Sequence, residues 1–116
     1  MPLRLARAFF PLLLIGLGSA TAAETPIEWQ KSVTLRVGQA AIVHSARGEC
    51  GKPPAKAMLK PKQYKTGHTS FGKLGVRESR RCGGLTPAVE VIFNATTPGK
   101  ETIEVDGDKI KVTVKP

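Results

Sequence analysis

An all-β fold, a small antiparallel sandwich, is what the sequence predicts, on three observations. Apolar residues recur with a period of two in short runs, glycine- and proline-containing turn signals separate those runs, and no stretch sustains a helical period. Strands of this kind each bury one face. Two sheets packed face to face satisfy them all.

The N-terminus comes before the sandwich. In MPLRLARAFFPLLLIGLGSATAA, Arg4 and Arg7 precede an apolar stretch from Ala8 to Gly18, and the small residues Ala20, Thr21, Ala22 and Ala23 follow. That order predicts a secretory signal peptide over residues 1–23. The apolar stretch is about half the roughly 20 residues that a bilayer-spanning helix needs, which disfavours a membrane anchor. Residues 24–116 are then expected to be one exported domain, periplasmic or secreted, monomeric and without a transmembrane segment.

The strands follow in order. SVTLRVG sets Val33, Leu35 and Val37 against Thr34 and Arg36, and Gly38-Gln39 separates it from AAIVHSA. In AVEVIFNAT, Val89, Val91 and Phe93 alternate with Glu90, Ile92 and Asn94, so one face is apolar with a single exception on the other. Thr97-Pro98-Gly99 marks the next turn. In ETIEVDGDKIKVTV, the pair Asp106-Gly107 lies between two alternating runs, the strongest short hairpin signal. A turn there places Ile103 opposite Ile110 and Glu104 opposite Lys109, one apolar pair and one of opposite charge. The stretch between Ala46 and Ala88 lacks such alternation and reads as irregular.

Two cysteines, Cys50 and Cys82, lie at either end of that stretch. In an exported chain of this size they are expected to form a disulfide, which closes a loop of about 33 residues and contributes about 3 to 4 kcal/mol in the chain-entropy treatment. Arg80 and Arg81 would activate a free Cys82 thiolate, but a nucleophile also needs a positioned base, and only His44 or His68 is available. A metal site is the rival: His44, Met58, His68 and the two cysteines are the donor types of a periplasmic copper- or zinc-handling protein. Their spacing contains no local pair such as C-x-x-C, and no residue after Cys82 is His, Cys or Met. The staple is the preferred reading, with no metal or other cofactor.

The run IFNATTPGKETIEVDGDKIKVTV, with VTLRVGQAAIV upstream, resembles the strand-turn-strand pattern of bacterial immunoglobulin-like domains, in which a proline-glycine turn precedes the last hairpin. The resemblance covers about half the exported chain and implies an immunoglobulin-like sandwich. It implies no activity, because this architecture carries many unrelated functions.

Charge is unevenly placed. From Arg47 to Cys82 there are ten basic and two acidic residues, whereas the stretches before and after are close to balanced. The candidate anion-binding residues are therefore Arg47, Lys60, Lys62, Lys65, Arg77, Arg80 and Arg81. Tyr64 and Phe71 are the only aromatics among them, too few for a base-stacking surface, so nucleic acid is disfavoured. An anionic cell-envelope polymer or an acidic partner protein fits better. The plain alternative is a solvated face that keeps a small protein dispersed.

Catalytic constellations are absent from the sequence pattern. Ser70 and Ser79 lack a G-x-S-x-G setting, and Glu49 and Glu78 each have an arginine close by to pair with. His44 reads as a half-buried residue on a strand edge. The expected protein is a non-enzymatic binding module whose contact surface is the stapled basic segment, residues 47–82.

Overall fold

The computed structural model describes residues 25–116, so the predicted signal peptide over 1–23 lies outside the described residues. Six strands and one short 3-10 turn make up the ordered elements: β1 Ser32–Arg36, β2 Ala40–Arg47, the 3-10 turn Lys56–Met58, β3 Gly67–Ser79, β4 Gly84–Ala95, β5 Gly99–Val105 and β6 Asp108–Lys115. They form two three-stranded sheets, β1-β6-β5 and β2-β4-β3. The two sheets pack together as the predicted sandwich. Among the described residues no helix is long and apolar enough to cross a membrane.

Alternation is what builds the core. Ile110, Val112 and Val114 of β6, Ile103 and Val105 of β5 and Leu35 of β1 point inward from one sheet. Val91, Phe93 and Ala95 of β4 and Val43 of β2 meet them from the other. Full burial of an aliphatic or aromatic side chain contributes about 1.5 to 3 kcal/mol. Phe93, Ile103, Ile110 and Val43 are the largest such contributors.

The last hairpin has the predicted register, with Ile103 opposite Ile110 and Glu104 opposite Lys109. Asp106 and Gly107 both have positive φ, at 51° and 88°, as a two-residue turn matched to strand twist requires. Most pairings are antiparallel, but β1 lies parallel to β6, with Leu35 opposite Val114. A two-residue period identifies a strand and its buried face. It carries no information about the direction of the neighbour.

The middle of the chain differs from its irregular reading. Residues 67–79 form β3, a 13-residue strand paired along most of its length with β4. Three features hide it: glycines at 67, 72 and 75, a register shift between Phe71 and Leu74, and charged residues on the exposed side. Gly67 is needed where it stands, since a Cβ there would run into the Asn94 carbonyl and the Phe93 ring. Tyr64 and Phe71 pack against the core, so both aromatics of the basic segment serve the fold.

A short N-terminal segment joins the edges of the second sheet. Ile27 N–H donates to Val76 O of β3 at 2.7 Å, and Gln30 N–H donates to Val43 O of β2 at 2.9 Å. Both edge strands thereby gain a partner.

Candidate functional site

The predicted staple forms. Cys50 and Cys82 are disulfide-bonded, with Cα atoms 5.4 Å apart. Cys82 sits in the turn between β3 and β4, where its N–H donates to Ser79 O and that of Gly83 donates to Arg80 O, both at 3.2 Å. Cys50 lies in the loop after β2, and its neighbour Gly51 donates an N–H to Thr86 Oγ1 at 2.9 Å. The bond therefore pins the loop to the tip of the β3–β4 hairpin. Arg80 and Arg81 project from that tip, both exposed, and neither enters an ion pair with a described residue.

The other candidate cations are dispersed. Lys60, Lys62 and Lys65 are exposed on the loop before β3, and Lys62 Nζ lies 5.7 Å from the Tyr64 ring centre. Lys60 and Lys62 share a hollow with Met58, Tyr64, Glu104 and Asp106, so two carboxylates temper their charge. Arg47 donates to the adjacent Gly48 carbonyl at 2.9 Å. Arg77 is committed inward: its guanidinium holds Asp106 in a short charged contact and donates to Ser45 O at 2.8 Å. Of the seven candidates, Arg80 and Arg81 are the consecutive pair that lies in the turn tied by the disulfide to the loop after β2.

The residues of the metal reading are placed differently. His44 is 3% exposed and has both ring nitrogens engaged. Ser45 N–H donates to its Nδ1 at 2.8 Å, which leaves the ring proton on Nε2, donated to Asp108 Oδ2 at 2.8 Å. Burial, the largest influence, lowers its pKa, and Arg77 pushes the same way against the opposing pull of Asp108. Met58 is exposed on the 3-10 turn, and His68 lies on β3 opposite Asn94. No group of three or more His, Cys, Asp and Glu side chains is arranged to hold an ion among the described residues.

Ser45, His44 and Asp108 contain the residue types of a hydrolytic triad, so their connectivity matters. Ser45 Oγ is buried without a hydrogen-bond partner among the described residues, and it is the Ser45 backbone N–H, not the hydroxyl, that meets the imidazole. A nucleophile must touch its base and reach a substrate. This serine does neither.

His44 is more buried than its edge-strand position predicts, for a local reason. A register shift between Ile42 and His44 adds a residue to β2, and Val43, His44 and Ser45 become buried in succession. Trp29 covers the imidazole, stacked at 6.1 Å with the rings 20° apart.

Summing charge along the chain misses one feature. The C-terminal third is close to neutral in sequence, yet its acids and bases go to different places. Glu101 accepts hydrogen bonds from Thr66 N and Oγ1 at 2.6 and 2.5 Å, Glu90 accepts from Lys73 N at 2.9 Å, and Asp106 and Asp108 hold Arg77 and His44. Lys100, Lys109, Lys111 and Lys115 stay exposed. The spacing Lys109-x-Lys111-x-x-x-Lys115 in a strand of period two is the sequence signal that locates them on one face.

Comparison of the chain with protein-family models, with curated proteins and with solved structures returned no match. The immunoglobulin-like likeness rests on strand pattern alone.

Proposed function

We propose that the chain is an exported, non-enzymatic binding module that holds an anionic cell-envelope polymer through the basic tip of its β3–β4 hairpin. One observation carries the reading: Arg80 and Arg81 stand exposed, without an ion pair to any described residue, beside a cysteine that is bonded to Cys50. A pinned backbone lowers the ordering cost of each contact, which a flexible lysine loop would incur in full. Ser79, Arg80, Gly83 and Gly84 line a shallow hollow at the same tip, with Glu78 as its one acidic group. The disulfide supports export, because such bonds persist in oxidising compartments.

Chromatography on immobilised heparin tests the proposal. The wild-type domain should be retained at low salt and eluted by moderate salt, since screening shortens charge interactions to about 8 Å at 0.15 M. Arg80→Ala with Arg81→Ala should elute markedly earlier while melting at the same temperature, because exposed charges contribute about 0 to 1 kcal/mol to stability. Equal elution of the two proteins removes the tip from the binding surface.

A further inference from the structure

The outer face of the β1-β6-β5 sheet is a second surface of uneven charge. Its hydrogen-bonded rows set Arg36 beside Lys115, Thr34 beside Thr113 and Lys100, Ser32 beside Lys111 and Thr102, and Lys109 beside Glu104. The partners that alternate with these residues, Leu35, Ile103, Val105, Ile110, Val112 and Val114, are buried. Lys31, just before β1 and exposed, joins Lys109 and Lys111 around a depression at one end of the face. Six cations therefore share the surface with Glu104 and, at the Trp29 end, with the partly exposed Asp108 that His44 already holds; none of the six enters a side-chain ion pair with a described residue, and Arg36 donates to Pro116 O at 3.2 Å.

Trp29 stands at the edge of this face. One side of its ring stacks on His44, and Lys31 Nζ lies 5.9 Å from the ring centre. Trp29 remains 39% exposed and lines this shallow depression with Lys31, Ser32, Thr102, Lys109 and Lys111, whose one carboxylate, Asp108, is hydrogen-bonded to His44. An aromatic held from behind, beside a row of lysines and hydroxyls, presents a flat apolar surface next to positive charge.

The chemistry of the face selects among polyanions. A protein partner would need a desolvated apolar centre from which lysine is depleted, and the outward residues here are lysine, arginine, threonine, serine and Glu104. A lipid surface would need apolar side chains to insert, and Trp29 is alone in that respect among the residues lining the depression. Single-stranded nucleic acid would need successive aromatics for successive bases. A linear chain of hydroxyl-rich rings bearing regular negative charge needs what is present: cations in rows, short hydroxyls between them and one stacking ring. We propose that this face binds an acidic polysaccharide, with a sugar ring against Trp29 and its carboxylates or sulfates on Lys31, Lys109 and Lys111. The ligand class agrees with the reading above, but the site is a different one.

Trp29 is the only tryptophan of the chain, so its fluorescence reports on this site. Oligogalacturonate is the probe, neutral dextran the control, and phosphatidylglycerol vesicles and oligothymidylate the competing polyanions. The wild-type domain should bind oligogalacturonate with a saturable change in Trp29 emission. Lys109→Gln with Lys111→Gln should weaken binding about tenfold at low salt and flatten its salt dependence, because fewer counterions are released. By titration calorimetry, which needs no tryptophan, Trp29→Ala should weaken binding without changing the salt dependence, and Trp29→Phe should restore part of it. The Arg80→Ala, Arg81→Ala protein should keep the emission change, which separates this site from the hairpin tip. The inference is overturned by wild-type affinity in the double-lysine variant, by emission that stays constant at saturation, or by vesicles or oligothymidylate binding where oligogalacturonate does not.

Discussion

His44 makes a proton-dependent contribution to the fold. Its Nδ1 receives the Ser45 N–H and its Nε2 proton goes to Asp108, so a second proton would have to sit where a donor already points. The cluster around it, Asp108, Arg77 and Asp106, holds one cation and two carboxylates, yet burial outweighs them and the pKa is lowered from 6.5. The sign of the effect follows. Above the ordinary histidine value the ring is neutral in folded and unfolded chains alike and contributes no pH dependence. As pH falls below about 6.5 the unfolded chain takes up the proton first, and stability is lost until the folded ring titrates too. Thermal melts from pH 7.5 to 5 should show a falling midpoint for the wild type and a flatter profile for His44→Gln. Parallel profiles would assign the pH dependence to the carboxylates.

At the scale of elements, the strands over residues 32–47 and 84–115 were legible in the sequence and the stretch between them was not. The β5–β6 hairpin has its register because Asp106-Gly107 is one of the few pairs that accept two positive φ angles, and the alternation on either side agrees with that turn. β3 was hidden because its glycines and register shift break the period by which a strand is recognised. The same strand alters what the disulfide does. The loop closed by Cys50 and Cys82 contains a strand that β4 holds independently, and Thr66, fully buried, ties the start of that strand to Glu101 and to the backbone of Thr96 and Thr97. Cys82→Ser should therefore lower the melting temperature and speed hydrogen exchange in residues 48–61 and in the 80–83 turn, while those amides of residues 67–76 that bond to β4 stay protected. Loss of protection throughout β3 would mean that the bond, not the ladder, holds the strand. The anion-binding candidates were legible as residue types only. Sequence gives their number, but the fold decides that Arg77 turns inward to Asp106 and that Arg80 and Arg81 stand free.

For the whole molecule the governing quantity is the separation of its charges. The chain carries 18 basic and 9 acidic residues, and five carboxylates, those of Glu49, Glu90, Glu101, Asp106 and Asp108, are engaged by partners within the fold. The excess of cations is left on outer surfaces, at the hairpin tip and across the β1-β6-β5 face. Such a surface repels itself, and salt relieves the repulsion as the screening length shortens from about 30 Å at 0.01 M to about 8 Å at 0.15 M. Partly buried pairs such as Arg77–Asp106 are screened much less over that range. The melting temperature of the free domain should therefore rise between 10 and 150 mM sodium chloride, a salt chosen because sulfate stabilises folded proteins by exclusion from their surface. A polyanion bound to the folded chain acts in the opposite sense. At 10 mM salt, ligand at 100 times its dissociation constant should add about 2.7 kcal/mol of stability, and at 150 mM the same concentration should add much less because affinity has fallen. Melts with and without oligogalacturonate at the two salt concentrations measure both effects in one experiment. Two salt dependences of opposite sign are the expected result. A free domain that melts lower at 150 mM than at 10 mM would show that internal ion pairs outweigh surface repulsion.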